Sequence, residues 1–129
     1  MQNKNYKISI IVATLNNEKT IDKNIDSILL QTFIDYEIII IDGSSRDKTL
    51  EIIKKHNSEK IKIYNQVGTG VYSAFNEGIK LAKNDIIVIL NADDYFENKN
   101  SLKIISETFS KDKSLKLVMS NIKMVNEKD

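Results

Sequence analysis

YEIIIIDGSSRDKTLEII, residues 36–53, places a run of four isoleucines before a polar loop and an apolar pattern of helical period. An unbroken apolar run of this length is typical of a strand that is buried on both faces. Leu50, Ile52 and Ile53 have the spacing of the buried side of a helix. The segment therefore predicts a strand over residues 36–41, a loop of turn-forming and capping residues, and a helix.

The same alternation continues on both sides of this segment. Runs rich in isoleucine and valine predict strands at Ile8 to Ala13, Ile61 to Tyr64 and Ile86 to Leu90, and a fifth candidate strand covers Leu115 to Met119. Apolar residues of helical spacing predict helices that begin near Ile21, Val71 and Leu102. Alternating strands and helices form right-handed crossovers. The sequence thus predicts an α/β fold with a mostly parallel, Rossmann-like sheet and helices on both faces.

Length and composition favour one compact domain over residues 1–129. The 19 basic and 18 acidic side chains give a net charge of +1, which favours no general attraction to nucleic acid or anionic lipid. The absence of cysteine excludes a disulfide framework and thiolate metal sites. No apolar run has the length of a membrane span or a signal sequence. We therefore expect a soluble, cytoplasmic protein.

Polar residues follow each of the first four predicted strands. The loops read Thr14-Leu15-Asn16-Asn17-Glu18, Asp42-Gly43-Ser44-Ser45-Arg46-Asp47, Gln66-Val67-Gly68-Thr69-Gly70 and Asn91-Ala92-Asp93-Asp94. In an open parallel sheet, ligands bind outside the carboxyl ends of the strands. We therefore expect the four loops to meet at one edge and to form the binding site.

Asp93 and Asp94 directly follow the fourth strand, where two carboxylates can reach one ligand. Such a pair suits Mg²⁺ or Mn²⁺, which takes oxygen ligands from one or two carboxylates and completes its shell with phosphates and water. The metal would act as a Lewis acid that neutralises a departing diphosphate. The alternative is that one of these aspartates caps the following helix or stabilises a turn.

Asp42 follows the second strand, where its carboxylate can accept hydrogen bonds from a uracil N–H or a ribose hydroxyl. A nucleotide ligand would fit this position. The alternative is turn chemistry, in which Gly43 supplies a positive φ and Ser44, Ser45 or Asp47 caps the next helix. Both interpretations use the same side chain at the same sheet edge.

The loop after the first strand supplies two more candidates. Thr14 and Asn16 lie where side chains can contact the base or the ribose of a nucleotide. Asn17 or Thr20 is expected to cap the helix that follows. This loop contains no glycine, so it is not the first turn of a dinucleotide-binding fold.

Other catalytic classes find little support. Residues 68–73, GTGVYS, only approach the dinucleotide fingerprint and lie in the third loop, and no phosphate-loop motif of the GxxxxGK type is present. His56 is the only histidine and falls at a polar helix end, where a solvated position is typical. No serine or cysteine nucleophile stands in a recognisable catalytic arrangement.

Three segments together resemble the N-terminal half of family 2 glycosyltransferases. They are ISIIVATLNNEKTIDKNIDSILLQTF, YEIIIIDGSSRDKTLEII and GVYSAFNEGIKLAKNDIIVILNADD, and the resemblance covers nearly all of residues 7–96. It implies a GT-A fold, a nucleotide-sugar donor, often a UDP-sugar, and inversion at the anomeric carbon. By resemblance, Asp42 contacts the uracil, Thr14 lines the nucleotide, and Asp93 and Asp94 contact the sugar diphosphate and its metal. Asn76 matches an asparagine of the helix beside the donor site.

The chain departs from the family pattern at several positions. Asn91 stands where the acidic motif often begins with another aspartate, and Gly68 and Ser73 stand where acidic residues are common. The family's general base and acceptor-binding surface lie well beyond the acidic motif, and no candidate base is identified in residues 99–129. We therefore expect the donor-binding half of a GT-A domain, truncated before its acceptor-binding part, with the general base unassigned.

The resemblance also implies partners and a location. Surface polysaccharide or lipopolysaccharide assembly would provide a saccharide or lipid-linked acceptor, at the cytoplasmic face of a bacterial membrane with peripheral association of the full-length enzyme. Apolar surface left uncovered in a partial fold would favour self-association. The alternative function is a noncatalytic nucleotide-binding or assembly module that pairs with another chain.

Overall fold

The computed structural model describes residues 6–126. Its strands are β1 (Ile8–Thr14), β2 (Tyr36–Asp42), β3 (Ile61–Asn65) and β4 (Ile86–Ile89). Its helices are α1 (Ile21–Leu29), α2 (Thr49–Lys55), α3 (Val71–Leu81) and α4 (Ser101–Lys111). Strands and helices alternate along the chain, which confirms the α/β class.

The four strands are all parallel and lie in the order β3-β2-β1-β4. Thr14 of β1 pairs with Asp42 of β2, and Asp42 pairs with Asn65 of β3, so these three strands end level with one another. The chain proceeds from β1 outward to β3 and then crosses to the other side of β1. Such a reversal of direction is the point at which open α/β sheets bind their ligands.

Helices cover both faces of the sheet, as the sequence predicts. One face carries the larger core, in which buried side chains of β1, β2 and β4 and of α1, α2 and α4 pack together, with Ile61 and Ile63 of β3 partly buried against them: Ile8, Ile10, Val12, Ile21, Ile25, Ile28, Ile38, Ile40, Ile53, Ile86 and Leu102. On the other face, Ala74 of α3 packs against Ile39 and Ile41 of β2. Gly78 brings α3 close to β1, because a Cβ atom at this residue would lie 2.4 Å from Cγ2 of Ile11. Helix α3, which precedes β4, therefore packs directly on β1, one of the two inner strands.

The prediction of a fifth strand over residues 115–119 is wrong. Residues 115–126 form neither strand nor helix. Leu117 and Met119 are 73% and 84% exposed, so the apolar side chains of this segment contact little surface that would bury them. An apolar run becomes a strand only where a neighbouring strand and a packed layer receive it. Between residues 6 and 126, no helix is long and apolar enough to cross a membrane.

Candidate functional site

The loops after β1 and β2 are joined by hydrogen bonds at the carboxyl edge of the sheet. The Asn16 N–H donates to Ser45 Oγ at 2.9 Å, and the Arg46 N–H donates to Asn16 Oδ1 at 2.8 Å. Backbone hydrogen bonds also join the β2 loop to the loops after β1 and β3. The Gly43 N–H donates to the Thr14 carbonyl, and the Gln66 N–H donates to the Asp42 carbonyl. Three of the four polar loops thus form one connected platform.

The Asp42 carboxylate is buried at the centre of this platform. It is 1% exposed; its Oδ2 accepts the N–H groups of Ser44 and Ser45, each at 3.1 Å, and its Oδ1 accepts the Ser45 hydroxyl at 2.6 Å. These contacts hold the β2 loop in its turn, which is the structural alternative raised by the sequence. A carboxylate oxygen can accept two hydrogen bonds, so Oδ1 retains capacity for one more.

Ser44, not Gly43, adopts the left-handed conformation in this turn. Its φ is 70°, because the backbone folds back to direct two successive N–H groups at Asp42, so the prediction for Gly43 is wrong. The N-cap position of α2 is Lys48, without a side-chain hydrogen bond. Asp47 lies one residue earlier, where its Oδ1 accepts the N–H of Thr49 at 2.9 Å and its hydroxyl at 2.6 Å. None of the three candidate caps, Ser44, Ser45 and Asp47, therefore occupies the N-cap of α2; the two serines serve the Asp42 turn, and Asp47 fixes the residues just before the helix.

Thr14 and Asn16 differ in accessibility. Thr14 is 4% exposed and its hydroxyl donates to Asn17 Oδ1 at 2.8 Å, whereas Asn16 is exposed with a φ of 54°. Asn17 does not cap α1 through its side chain, because its Oδ1 accepts from Thr14 and from the Leu15 N–H. Thr20 occupies the cap position without a side-chain hydrogen bond. Of the two candidates in this loop, Asn16 is therefore the one with an exposed side chain.

Residues 91–94, here called the acidic loop, form a tight turn beyond β4. The Asp94 N–H donates to the Asn91 carbonyl at 3.0 Å, Ala92 is buried, and Asp93 and Asp94 are exposed. Neither carboxylate caps a helix, because α4 begins only at Ser101. Within residues 6–126, neither carboxylate hydrogen-bonds to the protein. Both side chains are consequently available to a ligand at the switch in strand order.

The acidic loop fits a hard divalent cation that is shared with a phosphate ligand. Across the described residues, no group of three or more His, Cys, Asp and Glu side chains is arranged to hold a metal. Two exposed carboxylates on one turn match a cation that takes one or two protein oxygens and completes its shell with phosphate and water. The donor set therefore suits Mg²⁺ or Mn²⁺ bound together with a diphosphate.

Glu77 of α3 organises the third loop, and the sequence analysis did not identify it. Its carboxylate accepts the N–H groups of Val67 at 2.9 Å and Gly68 at 2.8 Å, and the Ser73 hydroxyl at 3.2 Å. The hydrogen bond from Val67, followed by that from Gly68, holds the pKa of Glu77 below its ordinary value. The four-residue spacing from Ser73 to Glu77 is the sequence signal that could have revealed this contact. A carboxylate thus lies beside Gly68 and Ser73 although neither residue is acidic.

Asn76 lies on the same helix and is exposed. Gly70, the N-cap residue of this helix, has a φ of 83°, a backbone conformation that residues with a side chain rarely adopt. The Gly70 carbonyl accepts the Gln66 side-chain N–H at 2.8 Å, which closes the third loop on itself. The structure therefore places Asn76 on an exposed side of α3, the helix that follows this internally hydrogen-bonded loop.

Sequence comparison relates this chain to known transferases. The family model described as Glycosyl transferase family 2 matches residues 9–124. The chain is 47% identical over 111 residues to the Methanococcus voltae dolichyl N-acetyl-alpha-D-glucosaminyl phosphate 3-beta-D-2,3-diacetamido-2,3-dideoxy-beta-D-glucuronosyltransferase, covering 81% of this chain and 34% of that protein. It is 34% identical over 121 residues to Pasteurella multocida chondroitin synthase, covering 92% of this chain and 12% of the synthase. The chain thus spans about a third or less of these relatives.

Solved structures give the same relationship. S. aureus TarS 1-349 in complex with UDP-GlcNAc superposes with a TM-score of 0.74 at 29% identity, over 81% of this chain and 31% of that chain. The Pyrobaculum calidifontis mannosyltransferase PcManGT, in complex with GDP-Man and Mn²⁺, shares the fold with a TM-score of 0.69 at 23% identity, over 75% of this chain and 30% of its own. Because the family model covers most of its length, the chain belongs to glycosyl transferase family 2.

Proposed function

We propose that this chain forms the donor-binding part of an inverting glycosyltransferase and binds the nucleotide of a UDP-sugar at the carboxyl edge of its sheet. The observation that carries the proposal is the arrangement around the end of β1. The buried Asp42 turn lies on one side, and the exposed Asp93 and Asp94 lie on the other, at the switch in strand order. Family membership and the likeness to a UDP-GlcNAc complex of TarS support this assignment.

In this proposal the nucleoside binds over β1 and β2. Asp42 accepts the uracil N–H as a second hydrogen bond to its Oδ1. The buried Thr14 lies beneath the nucleoside, and the exposed Asn16 contacts the base or the ribose. All three side chains are held by hydrogen bonds before a ligand arrives, which reduces the entropy lost on binding. Asn76 is proposed to line the donor site from α3.

The sugar diphosphate extends from β1 toward β4 in this proposal. Asp93 and Asp94 bind it through Mg²⁺ or Mn²⁺, and the metal, when bound, supplies Lewis-acid stabilisation of the departing diphosphate. Asp93 also contacts the sugar. Inversion requires a base that deprotonates the attacking acceptor hydroxyl, and we assign no residue of this chain to that step.

The acceptor is proposed to be a saccharide or a lipid-linked sugar. The Methanococcus voltae relative is named for a dolichyl-phosphate-linked acceptor, and the Pasteurella multocida relative is named as a chondroitin synthase. Because the chain spans about a third or less of these proteins, we propose that residues 1–129 correspond to their donor-binding part and that acceptor recognition involves further polypeptide.

Calorimetric titration of UDP, with and without Mn²⁺, tests the proposal. The test variant is Asp93→Asn with Asp94→Asn, which removes two exposed charges without removing a hydrogen bond of the fold. The matched control is Glu51→Gln with Glu107→Gln, which removes two exposed charges from helices elsewhere. We expect Mn²⁺ to strengthen UDP binding in wild type and control by about tenfold or more, and not in the test variant. A folded wild-type chain that binds no UDP under either condition would refute the proposal.

A further inference from the structure

A row of polar side chains along α1 holds the backbone that follows β4. Asn24, Ser27 and Gln31 are separated by three and four residues, so they project from one side of the helix and its end, next to the isoleucines of the core. They hydrogen-bond in order to Asn91 and Asp94, to Phe96, and to Asn98 and Leu102. We name this row the α1 ladder. It runs alongside the chain from the acidic loop to the start of α4.

Asn24 is the member of the ladder that reaches the acidic loop. Its side-chain NH₂ donates one hydrogen bond to the Asn91 carbonyl and one to the Asp94 carbonyl, each at 2.8 Å. The same two residues close the turn through their backbones. The Asn24 amide therefore hydrogen-bonds to the first and the last residue of the acidic loop, and the exposed Asp93 lies between these two residues.

The buried Asn24 side chain uses its two donors but not its acceptor. Asn24 is 1% exposed, and among the described residues its Oδ1 has no hydrogen-bond partner. A buried acceptor without a partner is costly, and Ile25 and Ile28 beside it would favour an apolar residue. What the amide supplies, and an apolar side chain cannot, is two N–H groups aimed at the acidic loop.

We propose that Asn24 is a positioning residue for the donor site, holding the acidic loop so that Asp93 and Asp94 present their carboxylates together to the metal and diphosphate. This inference rests on the proposed function. Supporting groups behind metal-binding side chains set the orientation of those side chains, and their loss weakens metal binding. Asn24 touches neither donor nor metal in this scheme and acts only through the backbone of the loop.

The test uses the 129-residue chain and two readouts. The first is the gain in UDP affinity on addition of Mn²⁺, and the second is amide exchange of the Asp94 N–H, which closes the turn. In Asn24→Ala we expect the Mn²⁺-dependent gain to fall by about tenfold or more. UDP binding without metal should stay within about twofold, because the contacts of Asp42 do not involve α1. Exchange at Asp94 should accelerate about tenfold, while exchange at Gly43 remains unchanged.

Asn84→Ala is the matched control, because the Asn84 side chain also donates to a backbone carbonyl, that of Ile8, at the opposite end of the sheet. This variant should lose stability but keep the Mn²⁺-dependent gain. The positioning role would be overturned if Asn84→Ala lost the Mn²⁺-dependent gain in UDP affinity as fully as Asn24→Ala does. It would also be overturned if Asn24→Ala kept this gain. If Asn24→Ala does not fold, Asn24→Leu replaces it, because leucine also removes both N–H donors but keeps the buried volume filled.

The binding and exchange results separate this inference from the proposed function. If the wild-type chain binds no UDP, the proposed function fails, and exchange at Asp94 in Asn24→Ala still decides whether Asn24 holds the loop. Unchanged exchange at Asp94 would overturn the inference, whatever the binding result.

Discussion

Replacing Gly78 by alanine tests whether the contact between α3 and β1 is as close as the structure shows. A Cβ atom at Gly78 would lie 2.4 Å from Cγ2 of Ile11 and 3.4 Å from its Cβ, and Ile11 is fully buried in the central strand. Overpacking of this kind costs about 1–3 kcal/mol. Alanine in a helix interior recovers about 1 kcal/mol over glycine. We therefore expect a net loss of about 1 kcal/mol in the free energy of unfolding.

Urea denaturation, followed by circular dichroism, measures this loss. The control is Asn76→Ala, an exposed change on the same helix that alters helix propensity without touching the sheet. Asn76→Ala should be neutral or should raise the midpoint slightly. In a domain of this size, the loss in Gly78→Ala should also lower the thermal midpoint by roughly 4 °C.

A double-mutant cycle identifies the cause. Leucine has no methyl branch at Cβ, so Ile11→Leu removes the Cγ2 atom that the new Cβ in Gly78→Ala would contact. By itself, Ile11→Leu should lower the free energy of unfolding by less than about 1.5 kcal/mol. Gly78→Ala should therefore be better tolerated in the Ile11→Leu background, with a coupling energy of about 1 kcal/mol. If Gly78→Ala raises the midpoint in the wild-type background, or if the two changes are additive, the close approach of α3 and β1 does not control stability.

Three further predictions concern charged groups. Burial raises the pKa of Glu37, but hydrogen bonds from Lys62 and Ser9 outweigh it and hold this pKa below its ordinary value of 4.5. The ionised Glu37 carboxylate therefore stabilises the folded chain at neutral pH, and this stabilisation is lost as the pH falls below about 4.5. The urea midpoint of Glu37→Gln should fall less steeply with acid than that of wild type. Parallel plots of midpoint against pH for the two proteins would contradict this. Glu77→Gln should accelerate amide exchange at Val67 and Gly68 at neutral pH, and unchanged rates there would show that Glu77 does not hold the third loop. Asp93→Asn with Asp94→Asn should leave the thermal midpoint unchanged, whereas a clear drop would mean that these carboxylates maintain the turn.

The fold could be predicted from the sequence because its signals are local. The isoleucine runs of β1 and β2 are buried on both faces, and the helical spacing of Ile21, Ile25 and Ile28 corresponds to the stripe that packs on the sheet. The run at residues 115–119 shows the limit of such signals. It has the composition of a strand, but strand formation depends on a pairing edge and a covering layer, which its own sequence does not contain.

The loops at the sheet edge were predicted by position but not by internal geometry. Asp42 and Thr14 were identified because they follow strands, yet the sequence does not reveal that Asp42 draws two backbone N–H groups and makes Ser44 the left-handed residue. Glu77 and Asn24 were missed for a related reason. The N–H groups of Val67 and Gly68 that Glu77 accepts, and the loop carbonyls to which Asn24 donates, lie outside their own helices and become visible only when the chain is folded. Of these contacts, only that between Ser73 and Glu77 has a signal in the sequence.

The two sides of the proposed donor site differ in what is fixed before a ligand binds. At the nucleoside side, the carboxylate of Asp42 and the hydroxyl of Thr14 are both held in hydrogen bonds. At the diphosphate side, Asn24 holds the backbone of the acidic loop, but the carboxylates of Asp93 and Asp94 are exposed. Like charges on one turn repel each other, and a bound cation would offset this repulsion. We therefore expect UDP to bind the nucleoside side without metal, and Mn²⁺ to bind tightly only once UDP is present. Tight binding of Mn²⁺ to the chain without nucleotide would contradict this order.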